Sequence, residues 1–321
     1  MPTRNPVVQA TALVGAVADV PRRVLEDLAA PARVDLARNV RRAVGLGQAP
    51  IEVSMDPAES YLPPDGVARM VHADLPSMLI GGIGALLLQT LHPLAMAGVA
   101  EHSNYQADPL GRLRRTANFV GTTTFGTVQE AHDALAQVRR VHRRVKGIAP
   151  DGRPYSAGDP QLVTFIHTAE LSSFLESSRR FGRHDLSPEE CDRYYEELAP
   201  VGTALGAEWV PRSVADADGY FRRVRPELYA TEQARQALGW LRNGVTRRPN
   251  EQAVFSVLYA AAVSTLPGWA RAELDLSTPA PFELLLDTVA VIPAARALCA
   301  ALRWVAAPQA AGGRPGSGTA T

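Results

Sequence analysis

No side chain from Leu75 to Ala100 carries a charge, and Pro93 stands near the end of that stretch. Few features constrain a fold more. An uncharged run of this length must sit in a membrane or be buried by the rest of the chain. Proline lacks an amide proton and clashes with the preceding turn, so the helix must end or bend at Pro93, and His92 before it is biased toward extended geometry. The uninterrupted helix then spans roughly Leu75 to Leu91, about 25 Å at 1.5 Å per residue, short of the roughly 30 Å hydrocarbon layer. Gly81, Gly82 and Gly84 would let a second helix approach closely. A buried core helix is the expectation, and a membrane-lying segment is the alternative. The run is also spoiled by Gln89, Thr90 and His92 and closes on Glu101, His102 and Ser103. Polar groups are costly to bury unless hydrogen bonds compensate them, so this end of the helix needs an explanation.

The remaining sequence can supply the cover. The chain has 321 residues, enough for a sizeable core. Its formal net charge is zero, which removes the electrostatic argument for a nucleic-acid partner or an anionic membrane surface. The two cysteines, Cys191 and Cys299, lack the spacing of a zinc or redox site, so a reducing, cytoplasmic location is expected. The first residues lack the charge and cleavage pattern of a signal peptide.

Helix signals recur along the chain. Thr127 and Glu130 have capping-box spacing before an apolar-periodic run reaching Lys146, and Ser187 with Glu190 repeats the device. Asp159 and Pro160 read as N-cap and first turn of a helix ending near Phe181. Thr231 to Asn243 and Asn250 to Leu266 add two more. Residues Gly147 to Asp159 read as a polar loop, and strand patterns are scarce. The expectation is therefore an all-α fold: residues 1–48 as an N-terminal helical extension, 49–305 as one globular helical domain, and 306–321 as a disordered tail.

Four clusters carry chemistry. Leu135, Val138, His142 and Val145 share one helical face, so His142 sits on a buried stripe. A neutral imidazole in an apolar setting suits a haem iron, and the same spacing suits a core histidine bonded to a carbonyl. Arg112 and Thr116 share a face four residues apart, which fits a carboxylate or oxygen partner as well as a solvated arginine-rich face. His167 and Glu170 lie three apart, so the carboxylate can orient the imidazole, or both can bind a metal. His92, Glu101 and His102 flank the helix break. No glycine-rich phosphate loop, H-E-x-x-H helix or G-x-S-x-G elbow is present.

Taken in order, "QTLHPLAMAGVAEHSNY", "DPLGRLRRTANFVGTTTFGT", "RRVHRRVKG", "DPQLVTFIHTAELSSFL", "RYYEE" and "LPGWAR" resemble the MpaB/rubber-oxygenase catalytic domain. That family includes the latex clearing proteins and a fungal oxygenase that trims a farnesyl chain. The resemblance covers roughly residues 65 to 275. It implies a helical fold with a globin-like core and extra flanking helices, haem b as cofactor, and an apolar, isoprenoid-like substrate attacked by dioxygen. It further implies His142 as the proximal iron ligand, Arg112 and Thr116 beside the haem, and Glu101 as the nearest counterpart of a carboxylate base. Arg115 departs from the pattern: the latex clearing proteins carry a lysine there that can cap the iron, whereas a guanidinium stays protonated and ligates poorly. His167 is expected near the cofactor. A haem carrier or gas sensor without turnover, and a non-haem metalloenzyme using His92, His102 or His167 with Glu101 or Glu170, are the rival readings.

Overall fold

Two long helices form the centre of the molecule. A computed structural model describes residues 53–103, 106–243, 249–277, 285 and 287–306. Among them are α1 (Val67–His72), α2 (Leu75–Gln89), α3 (Pro93–His102), α4 (Pro109–Phe125), α5 (Val128–His142), α6 (Pro160–Phe181) and α7 (Pro188–Leu205). They continue with α8 (Val214–Val224), α9 (Glu232–Asn243), α10 (Pro249–Thr265), α11 (Gly268–Glu273) and α12 (Ile292–Ala306), with a π-helical turn at Asp287–Val291. Over the described residues the fold is all-α apart from one small hairpin. The expected helical extension over 1–48 lies outside the described residues, as does the expected tail over 306–321 apart from Ala306, which ends α12.

Helices α2 and α6 pack antiparallel. Ser177 Oγ donates to the Ser77 carbonyl at 2.6 Å, and Gln89 Nε2 reaches the Ile166 carbonyl at 3.4 Å. The glycines permit this approach: a Cβ on Gly81 would stand 2.9 Å from the Phe174 Cα and 3.0 Å from the Ser173 carbonyl oxygen. Helices α10 and α12 close the other side, where Ile80, Leu87, Leu88, Phe165, Ala262 and Cys299 belong to one buried cluster. A second cluster joins α1, α5, α6 and α7 through Val71, Leu135, Phe174, Tyr194 and Leu198. Removing those side chains from water is the main source of stability.

Local rules set the boundaries. Thr127 with Glu130, and Ser187 with Glu190, form complete capping boxes. Asp159 accepts from the amides of Gln161 and Leu162. Glu197 caps a helix it does not belong to, accepting from the Val67 and Ala68 amides at the start of α1. At the other end of the fold, Arg303 on α12 donates through two nitrogens to the buried Asp74 carboxylate just before α2.

Three expectations need correction. The continuous helix ends at Gln89, and α3 leaves at 108° to α2. The Leu91 carbonyl released there accepts from the Tyr229 amide at 2.9 Å. No single described helix is long and apolar enough to cross a membrane; the bent α2–α3 pair reaches that length and composition only together. Helix α5 stops at His142, so Val145 leaves the helical stripe. The segment after it, expected as a loop, is a hairpin, β1 (Lys146–Ile148) pairing antiparallel with β2 (Pro154–Ser156). Gly152, at φ 86°, makes that reversal, a backbone conformation unfavourable for other residues.

Candidate functional site

His142 closes α5, and α5 lies along α7. Leu135, two turns earlier, is buried against α7, and Arg139 Nη1 reaches the Ala204 carbonyl at 3.4 Å. This docking draws the Leu135–Val138–His142 face inward and leaves His142 half-buried. Its Nδ1 is buried without a hydrogen-bond partner. Burial lowers the pKa of the ring, so the imidazole is neutral at physiological pH. A neutral imidazole whose buried nitrogen lacks a protein partner has the chemistry of a metal or haem ligand, so His142 fits such a role, a property it shares with His92 and His167.

The other residues nominated by the sequence divide. Arg112 is half-buried and donates from Nη1 to Ser103 Oγ at 2.9 Å. Thr116, one turn later, is exposed, so the pair does not form a shared buried surface. The reason is the lie of α4: its second half carries the buried Thr123 and Thr124, while residues 114–116 face solvent. Arg115 is exposed and pairs at 3.4 Å with Asp108, the N-cap of its own helix.

Glu101 lies on the other side of the bend. It accepts a hydrogen bond from the Tyr155 hydroxyl, whose pKa is pushed up to about 12, first by burial and then by the carboxylate. His102 Nε2 stands 3.2 Å from the Lys146 carbonyl. Glu101, His102 and Ser103 line a cavity of about 540 Å³ together with Gln233 and Gln236, a polar space rather than a hydrocarbon one.

His167 and Glu170 turn out not to be a hydrogen-bonded pair. The His167 ring presses on α7 so closely that a Cβ on Gly202 would lie 2.7 Å from its Nε2. That Nε2 is buried without a partner, and burial lowers the ring's pKa to about 4. Glu170 points elsewhere, and burial raises its carboxyl to about 7. His92 is the N-cap of α3, lies tilted against the Phe165 ring with centroids 5.0 Å apart, and is lowered to about 4, chiefly by burial. The polar groups that spoil the apolar run thus have distinct fates: Gln89 bonds to backbone across the α2–α6 seam, Thr90 Oγ1 donates to the Leu87 carbonyl, and His92 Nδ1 is left unpartnered. Among the described residues no three His, Cys, Asp or Glu side chains converge as metal ligands, so the set required by the non-haem reading is not assembled.

One polar network has no signature in the sequence. His72 is buried between α4 and α7, with Nδ1 2.7 Å from Thr124 Oγ1 and Nε2 3.0 Å from the Tyr194 hydroxyl. Burial holds its pKa near 3, so the neutral ring donates through one nitrogen and accepts through the other. Its partners lie 52 and 122 residues away, and no local spacing marks them.

A family model described as "ER-bound oxygenase mpaB/B'/Rubber oxygenase, catalytic domain" matches residues 69–304. Neither the curated proteins nor the solved structures give a significant match. The matched span runs from within α1 into α12 and contains the first buried cluster, the second apart from Leu62, Val67 and Ala68, and His142.

Proposed function

The chain belongs to the MpaB/rubber-oxygenase catalytic-domain family, and from that premise we propose a haem b-dependent oxygenase acting on an apolar, isoprenoid-like substrate. That the domain is an oxygenase, using dioxygen and a small-molecule substrate, follows from the family. Haem dependence and the substrate class are our reading.

The observation that carries the haem assignment is His142, with its neutral ring and a buried nitrogen lacking any protein partner. His142 would hold the iron from the proximal side. The bound haem would supply dioxygen activation. Arg112 would hold its place beside the site through Ser103. The exposed Arg115, engaged with Asp108, is not placed to act as a distal cap.

The test is oxygen uptake by haem-loaded protein supplied with an isoprenoid, with cleavage products identified by mass spectrometry. Uptake coupled to carbonyl products, lost in His142→Ala, is the expected outcome. Haem binding without uptake would make the protein a carrier or sensor. Stoichiometric iron or zinc without porphyrin would overturn the haem assignment.

A further inference from the structure

We propose that Glu170 is a specificity-determining residue of this same site, selecting an apolar chain that carries a hydroxyl or carbonyl oxygen over a pure hydrocarbon. The inference deepens the proposed function and rests on it for the substrate's apolar part.

The placement follows from helix geometry. Ser173 faces α2, where Cβ atoms built on Gly81 and Gly84 would meet it. His167 faces α7, against Gly202. At about 100° per residue, a step of three returns to within roughly 60° of the start. Glu170 is three residues from each, so its side chain points into the groove between α2 and α7. The antiparallel seam, with Gly81 at Ser173 and Gln89 at Ile166, sets it level with Gly84 and Ala85, one residue before Leu86. Protein encloses the carboxyl, yet the side chain keeps accessible surface. A carboxyl that is enclosed by protein and still accessible is open to a small polar ligand.

Apart from the Tyr194 hydroxyl on α7, which the Glu170 carboxyl influences and which is engaged with His72, the groove is apolar. Leu79, Gly82 and Leu86 form a part-open stripe on α2, and among the described residues neither leucine joins an apolar cluster. Gly82 borders the groove too, because a Cβ there would meet only the Phe174 ring, one turn beyond Glu170. No described group forms a hydrogen bond or ion pair with the Glu170 carboxyl. A hydrocarbon filling the groove would strip it of water and return nothing, whereas a ligand oxygen would satisfy it. Burial holds this carboxyl near half-protonated at neutral pH, so it can both donate and accept.

The test compares farnesol with the hydrocarbon farnesene, delivered from cyclodextrin to the full-length protein, with binding measured by equilibrium partition. Wild type should bind farnesol about tenfold more tightly, Glu170→Gln should keep the preference, and Glu170→Leu should abolish it. Infrared spectra of the wild type supply a second readout that needs no variant: the protonated carboxyl band should shift with farnesol and not with farnesene. Equal binding of the two ligands, or a preference that survives in Glu170→Leu, overturns the proposal. No turnover is involved, so loss of haem from His142→Ala would strike the oxygenase reading and leave this result standing.

Discussion

Adjacent glycines on α2 should respond to the same substitution with opposite signs. A Cβ at Gly81 would stand 2.8 Å from Phe174 Cδ1, 2.9 Å from Phe174 Cα and 3.0 Å from the Ser173 carbonyl oxygen. Two of those three atoms are backbone, so no rotamer change relieves the clash, and α2 must move away from α6. Overpacking of this kind costs about 1–3 kcal/mol, and backbone contact puts Gly81→Ala toward the upper end. Alanine recovers about 1 kcal/mol of helix propensity, leaving a net loss of about 2 kcal/mol. At Gly82 the sole neighbour of the added methyl lies at 3.8 Å, an ordinary contact. Gly82→Ala therefore keeps the propensity gain and stabilises by about 1 kcal/mol. At roughly 2–4 °C per kcal/mol, Gly81→Ala should melt about 4–8 °C below wild type and Gly82→Ala a few degrees above it. Urea unfolding followed by circular dichroism checks both, with unchanged slopes as the control. Equal shifts for the two variants would refute the close α2–α6 seam.

Two further predictions come from buried ionisable groups. His72 is held near 3 and His92 and His167 near 4, so as pH falls below 6.5 the unfolded chain takes up protons that the native state refuses, and stability is lost over that window. Glu170 acts oppositely: its carboxyl rises from 4.5 to about 7, so the native state holds an extra proton between those values, and that contribution is lost as pH rises through 7. Glu170→Gln should thus steepen the fall of stability between pH 6.5 and 5 by about 1.4 kcal/mol per pH unit; an unaltered slope would mean that the carboxyl titrates normally. Arg303→Ala should cost about 1.5–3 kcal/mol, because it removes the two-pronged partner of the buried Asp74 carboxylate and leaves it with Arg183, 3.4 Å away. Chemical denaturation measures that loss, and Asp74→Asn in the same background should recover part of it.

Much of the fold is legible in the sequence because its determinants are local. The capping boxes at Thr127 and Ser187, the Asp159 cap and the break at Pro93 act within four residues, and each appears where the spacing places it. The hairpin at residues 146–156 escapes pattern reading because it lacks alternating apolar residues; a buried tyrosine, Tyr155, and a left-handed glycine, Gly152, hold it. The candidate site is legible only in part. Spacing puts His142 on an inward face, but it also pairs His167 with Glu170, two residues that point to different neighbours. Periodicity says which residues share a face of a helix and is silent on what packs against that face. His72, Glu197 and Arg303 act on partners more than fifty residues distant, which no local pattern reveals.

The most direct measurement is a hemin titration of wild type and His142→Ala, followed by absorbance in the Soret region with iron and porphyrin quantified on the same samples. The account predicts saturation near one haem per chain for wild type, and a loss or marked shift of the band in a variant that still folds. An unchanged spectrum in His142→Ala, or no uptake by folded wild type, would contradict it.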